Sequence, residues 1–194
     1  PDGMRADKFL YGIDETEDSF YNHLGSSKTQ KRTSSSYSLE MHYETGEFSD
    51  TEAASRASAK LINITPQELN ILQQKLVNKS QTHSPKLQSG TYTISIDAEV
   101  VSSLLGFVGN ALTAENIRQN QSFISTTDIG KTIFSKDFSL ANNPSFPHSA
   151  YNTLFDDEGI TSEPIKLIEN GTIKNLLIDS KNSKKFNLPA TGNG

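Results

Sequence analysis

Cysteine is absent from all 194 residues, which excludes disulfides, thiolate metal sites and cysteine nucleophiles within them. Tryptophan is missing too, and only 34% of the residues are hydrophobic. Mean hydropathy is −0.52, polar for a self-sufficient globule. No apolar run approaches the roughly 20 residues that a membrane-spanning helix needs. Positive charge is not in excess either: 18 Lys and Arg stand against 23 Asp and Glu, a net charge of −5. That balance argues against a general attraction to nucleic acid or to anionic lipid. The chain opens on Pro1, and no basic segment precedes an apolar stretch. It is expected to be a piece of a soluble, cytoplasmic protein.

What is present falls into two blocks, 1–89 and 90–194. In the first, residues 25–36 are rich in Ser, Thr and Lys and read as an exposed turn. Tyr37, Leu39, Met41 and Tyr43 then alternate with polar residues, which makes a half-buried strand. Thr45-Gly46 offers a reversal, and Glu47 to Asp50 return as its partner. Thr65, Pro66 and Glu68 stand where an N-cap, a first helical residue and the third residue of a capping box belong. The helix they start runs over about 66–82. Leu69, Leu72 and Leu76 form its apolar face, and His83, Ser84 and Pro85 end it. In the second block Tyr92, Ile94 and Ile96 alternate as a short strand, and Asp97 is placed to cap a helix lined by Val100, Val101, Leu104, Leu105, Val108 and Leu112. Gly106 and Gly109 interrupt that helix at a cost of about 1 kcal/mol each. Close packing of another backbone is the expected reason. Asn170-Gly171 between apolar runs signals a tight hairpin. Helices and strands mix without strict alternation, so the expected class is α+β with mainly antiparallel sheets, a few packed helices and two sub-structures.

Chemistry-bearing patterns are sparse. No two of His23, His42, His83 and His148 share one helical turn, and none is followed by Glu, so a zinc-hydrolase helix is not spelled out. His42 reads as a solvated strand residue, and His83 and His148 as loop residues. Ser125 to Thr132 nearly spells a phosphate-binding loop, but Ser125 stands where a Gly is required. A turn before a strand is the plainer reading. Asp156, Asp157 and Glu158 could hold a hard cation, yet they lack the alternating spacing of a calcium loop. A turn closed by Gly159 competes with that reading.

From about Gly90 onward the order of short motifs resembles the TldD/PmbA family of peptidase-related proteins, also labelled modulators of DNA gyrase. The motifs are the Gly90-led strand, Leu112-Thr113-Ala114-Glu115-Asn116, Phe155-Asp156-Asp157-Glu158-Gly159, Leu167-Ile168-Glu169-Asn170-Gly171 and Thr191-Gly192-Asn193. The resemblance implies a TldD/PmbA-like fold and marks Asp156, Asp157, Glu158, Gly159, Thr191, Gly192 and Asn193 as a binding or structural motif. The family's proteolytic member carries His-Glu-x-x-x-His on the helix after the Gly-led strand. Here the matching positions hold Leu105, Gly106 and Asn110. Leu and Gly offer no ligand or base, and neutral Asn is a poor zinc ligand.

The expectation is therefore a PmbA-type subunit without a metal or catalytic residues of its own. It would assemble with a TldD-like metalloprotease, the subunit expected to hold the zinc, act on peptides, and leave a homodimer as a further assembly. Neither nucleic acid nor membrane is expected as a partner. Two rivals stay open: a hydrolase whose essential residues lie outside these 194 or in the 156–158 run, and a binding partner of DNA gyrase. The mild acidic bias gives the last little support.

Overall fold

The computed structural model describes residues 2–82 and 86–193 and divides by contact into two compact units. Among the described residues, the first unit takes 2–17, 31–82, 86–92 and 148–150, and the second takes 18–30, 93–147 and 151–193. The helix stop at His83, Ser84 and Pro85, and the loop role of His83, lie outside the described residues.

Strands β1 (Met4–Tyr21), β2 (Ser27–Thr45) and β3 (Phe48–Ser58) form a sheet in the order β1-β2-β3. β2 and β3 are antiparallel, with Thr45 opposite Phe48 and Gly46 in the turn. Tyr37, Leu39 and Met41 are buried as their alternation predicts. They face helix α1 (Pro66–Gln81), whose Leu72 and Leu76 complete a small core with Leu39 and Met41. Residues 27–36 are corrected from turn to strand. Ser and Thr carry no apolar alternation there, and pairing rather than propensity decides such a segment. The reversal falls just before it, where Asn22 Oδ1 accepts the N–H groups of Leu24 and Ser26, both at 3.0 Å.

Glu68 fastens α1 to this sheet. Its Oε2 accepts the Thr65 N–H at 2.8 Å, while Thr65 Oγ1 accepts the Glu68 N–H at 3.2 Å, completing the capping box. Its Oε1 accepts the Tyr37 hydroxyl at 2.7 Å and the Arg56 guanidinium at 2.9 Å. The Tyr37 and Thr65 hydrogen bonds lower the Glu68 carboxyl from 4.5 to about 2.

The second unit holds helices α2 (Ala98–Ala111) and α3 (Ala114–Arg118), then the antiparallel sheet β4 (Leu140–Asn142), β5 (Ile165–Glu169) and β6 (Thr172–Ile173), then helix α4 (Ser180–Phe186). The architecture is the α+β mixture expected. Leu112, Ile168, Ile173 and Leu176 are fully buried at its centre. The Asn170-Gly171 hairpin is present, with φ of +48° and +76°. A Cβ on Gly171 would stand 2.3 Å from the Phe134 carbonyl oxygen, so both φ and space demand glycine.

Two expectations for the second block of the sequence fail. Residues 91–97 form no strand, and Tyr92, Ile94 and Ile96 are exposed. Alternation marks a segment that could line a sheet, but no strand lies beside it among the described residues to form the ladder. Gly106 and Gly109 are not packing notches: a Cβ on either would meet nothing within 4 Å. Much of α2 is exposed, including Val100, Leu104 and Phe107, and Asp97 stands at its N-cap without a side-chain cap bond.

Urea and acid titrations read by circular dichroism check these assignments. Thr65→Ala should cost about 1 kcal/mol through the lost cap. Gly171→Ala should cost more than about 1 kcal/mol, whereas Gly106→Ala should stabilise by about that amount. Because the folded Glu68 titrates near 2 and the unfolded one near 4.5, the unfolded chain takes the proton first on acidification. The stability this carboxylate supplies is complete above about 4.5 and lost as pH falls toward 2, so Glu68→Gln should flatten that stretch of the acid-unfolding curve.

Candidate functional site

The end of α2, the α3 turn and the end of the chain meet around a cleft of about 310 Å³ lined by Asn110, Thr113, Glu115, Asn116, Leu177, Asp179 and Asn193. Its floor is a backbone exchange. The Leu177 N–H donates to the Leu112 carbonyl at 2.9 Å, and the Ala114 N–H donates to the Leu177 carbonyl at 2.8 Å. Thr113 caps α3 by accepting from the Asn116 N–H, and Asn116 Nδ2 donates to the Asn110 carbonyl at 2.8 Å. Asn110, aligned with a histidine of the family's catalytic helix, thus sits at the rim, while Leu105 and Gly106 lie further back on α2.

Glu115 is the most polarised group of the cleft. Arg118 Nε donates to its Oε2 at 2.8 Å, Asn182 Nδ2 donates to the same oxygen at 2.9 Å, and Gln119 Nε2 donates to Oε1 at 2.5 Å. Arg118 above all, then Asn182 and Gln119, hold the carboxyl far below the usual carboxylate range. A carboxylate so stabilised is a poor proton acceptor near neutral pH. Asn182 is fully buried and also donates to Asp179 Oδ2 at 3.0 Å, while Asp179 caps α4 by accepting the Asn182 N–H at 2.6 Å. Sequence reading singles out neither Thr113 nor Asp179 as a cap, although both are residues that prefer that position.

The 156–159 run is a closed turn. Asp156 is buried, and its Oδ1 accepts the N–H groups of Glu158 at 3.1 Å and Ile160 at 2.8 Å. The Gly159 N–H returns to the Asp156 carbonyl at 2.9 Å. Glu158 Oε2 accepts the Ser180 N–H at 2.7 Å, and Asp157 is exposed. Gly159 has φ +75° and lies against Phe20, where a Cβ would come within 2.4 Å of the ring. Lys28 Nζ stands 5.9 Å from the Phe155 ring centroid and donates to Thr161 Oγ1 at 2.9 Å. The turn therefore seats the tip of the β1–β2 hairpin.

Thr191, Gly192 and Asn193 fasten the end of the described chain. Thr191 Oγ1 accepts the Ile178 N–H at 2.9 Å and the Thr191 N–H donates to the Ile178 carbonyl at 2.9 Å. The Gly192 carbonyl accepts from Ser162 Oγ at 2.6 Å, and Asn193 Oδ1 accepts from Asn142 Nδ2. Asn193 is the one member of the two motifs that reaches the cleft.

Elsewhere, Ser125 and Asp128 cap each other around a single 3-10 turn, Thr126–Asp128, and Lys131 is paired to Asp128 at 2.8 Å. The lysine is committed within its own loop. His23 and His148 are exposed in turns, and the His148 carbonyl accepts the Ala59 N–H at 3.0 Å. His42 is corrected from a solvated residue: its side chain is 14% exposed, with Nδ1 3.2 Å from Thr51 Oγ1 on β3. Among the described residues no three His, Asp or Glu side chains gather in a metal-holding group.

Residues 89–194 match the PmbA/TldA metallopeptidase C-terminal domain. The metalloprotease PmbA homolog of Buchnera aphidicola (subsp. Acyrthosiphon pisum) is 26% identical over 125 residues, 63% of this chain and 28% of that protein. The zinc metalloprotease TldD homolog of Saccharolobus solfataricus is 27% identical over 128 residues, 66% of this chain and 28% of that protein. The chain thus spans little more than a quarter of these relatives. Among solved structures, TldE from Thermococcus kodakarensis superposes with a TM-score of 0.72 at 22% identity, over 96% of this chain and 42% of that one. A Thermotoga maritima protein named as a modulator of a DNA gyrase gives 0.84 at 20% identity, over 96% and 43%. These two likenesses carry the fold, and the matched domain carries the lineage: the chain belongs to the PmbA/TldD metallopeptidase family.

Proposed function

We propose that this chain is part of a PmbA-like, non-catalytic subunit that assembles with a TldD-like metalloprotease to process peptides in the cytoplasm. One observation carries the reading. Where the resemblance puts two histidines and a glutamate, α2 presents Leu105, Gly106 and Asn110, a set with one weak neutral donor and no base. These residues do not fit a zinc ion. The zinc and the water it activates belong to the partner in this scheme, while this chain supplies fold, interface and a wall of the peptide path.

The rival reading of a hydrolase built on the acidic run loses ground because Asp156 and Glu158 already serve backbone N–H groups. Among the described residues no helix is long and apolar enough to cross a membrane.

The intact protein, purified with and without its TldD-like neighbour, should hold zinc and cleave unstructured peptides only in the company of that neighbour. Stoichiometric zinc together with peptide cleavage by the lone protein would overturn the proposal. Asp156→Ala should lower stability by about 1–3 kcal/mol, because two part-buried N–H groups lose the acceptor that closes the turn. Asp157→Ala, at an exposed position, should change neither melting temperature nor peptide cleavage by the assembly. A collapse of cleavage with Asp157→Ala at unchanged stability would revive the acidic-run hydrolase.

A further inference from the structure

Asn-Gly is the residue pair most open to deamidation, because a glycine nitrogen carries no neighbouring side chain to hinder its attack on the asparagine before it. The sequence holds two such pairs, Asn170-Gly171 and Asn193-Gly194, and the first lies wholly within the described residues. It forms the tip of the β5–β6 hairpin, where Glu169 and Thr172 face each other across the turn. The reaction makes two demands on that turn. A base must reach the Gly171 N–H, and Asn170 must rotate until its carboxamide carbon lies over the bared nitrogen. The fold denies both. Gly171 is buried, and its N–H donates to the Phe138 carbonyl at 2.8 Å. Its carbonyl accepts the N–H groups of Ile133 and Phe134, both at 3.1 Å. Asn170 is exposed, but its φ is +48° and its own N–H donates to Ser139 Oγ at 3.0 Å. Further along, the Gly130 N–H donates to the Ile173 carbonyl at 2.8 Å, and the Ile173 N–H returns to the Lys131 carbonyl at 3.0 Å. Residues 130–139 thus lie against the hairpin as a strap, anchored by Phe134 and Phe138 on the core. All of these contacts are internal to the second unit, so the protection needs nothing outside it.

We propose that Asn170 is a conditional modification site, inert while the strap is closed and converted to aspartate or isoaspartate once it opens. With the strap away, hydroxide removes the Gly171 amide proton. The nitrogen bonds to Asn170 Cγ, the Cγ–Nδ2 bond breaks, and ammonia leaves after taking a proton from water. Water then opens the resulting succinimide at one of its two carbonyls, and no electron is gained or lost. Opening at one carbonyl gives aspartate, which visits the left-handed region much as asparagine does. Opening at the other routes the main chain through the former side chain and lengthens the turn by one carbon. Gly171 has no room for that displacement, since even an added Cβ would stand 2.3 Å from the Phe134 carbonyl oxygen. The isoaspartyl chain cannot reclose the strap, so an opening long enough to react leaves a permanent record. This latch goes beyond the subunit reading and is independent of it.

Peptide mapping by mass spectrometry, on the intact protein held at neutral pH either folded or in urea, tests the latch. In urea Asn170 should lose its amide at a rate like that of Asn193, which also precedes a glycine. In the folded protein Asn170 should react about a hundredfold or more slowly than in urea, because the reaction waits on local opening. Ser139→Ala removes the acceptor of the Asn170 N–H at an exposed position. With its circular dichroism spectrum unchanged, that variant should react about threefold to tenfold faster than the folded wild type. Asn170→Asp should keep the wild-type urea midpoint, whereas isoaspartyl chains collected from urea should show a lower one. Equal rates at Asn170 in folded and urea-treated protein, a Ser139→Ala rate no faster than wild type, or isoaspartyl chains as stable as Asn170→Asp would each overturn the proposal.

Discussion

The second unit hangs on the exchange of backbone hydrogen bonds between the Leu112–Ala114 stretch and Leu177. Thr113 and Leu177 form a parallel bridge, and Leu112 beside it is fully buried. That bridge brings the end of α2 against a segment far along the chain, and Thr191 locks the other side of the same segment through Ile178. The cleft exists because these three stretches meet. Asn110 stands at its rim because Leu112, two residues later, cannot move without leaving the core. Buried backbone groups must find partners, and here they find one another across long sequence separations, which makes the junction rigid.

The same bridge explains what the sequence conceals. The cap of α1, the alternation of Tyr37, Leu39 and Met41, and the Asn170-Gly171 turn are legible because each is a local agreement between residue chemistry and backbone form. β1 and the first part of β2 are not. They are long strands held by a neighbouring strand: the first part of β2 carries no periodic apolar set, and the short apolar run Phe9 to Ile13 of β1 is exposed. The converse error occurs at residues 91–97, whose alternation is clean but whose ladder is absent among the described residues. The cleft is harder still: Asn110, Asp179 and Asn193 lie far apart along the chain, and nothing local to any of them signals that they meet.

The motifs that carry the family resemblance prove to be devices for closing backbone. Asp156 gathers two N–H groups, Gly159 admits the Phe20 ring, Thr191 pairs with Ile178, and Asn193 ties to Asn142. A resemblance built on such residues tracks the fold, because changing them disturbs turns and chain crossings. It says less about chemistry, which must be argued from a site. Membership therefore rests on scaffold residues, and it leaves positions 105, 106 and 110, which hold Leu, Gly and Asn, outside its warrant.

The electrostatics of the cleft are likewise structural in origin. A working general base keeps a lone pair available and titrates near the operating pH, which requires burial or a like charge to lift a carboxyl. Glu115 has the opposite surroundings, with Arg118, Asn182 and Gln119 all donating to it and pulling its titration downward. Asp179 spends both oxygens on Asn182. The two acids of the cleft thus order α3 and α4 through their hydrogen bonds. What lines the cleft beside these acids is a set of carboxamide and hydroxyl groups on Asn110, Thr113 and Asn116, tied to one another through the Asn110 carbonyl, which accepts from both Thr113 Oγ1 and Asn116 Nδ2.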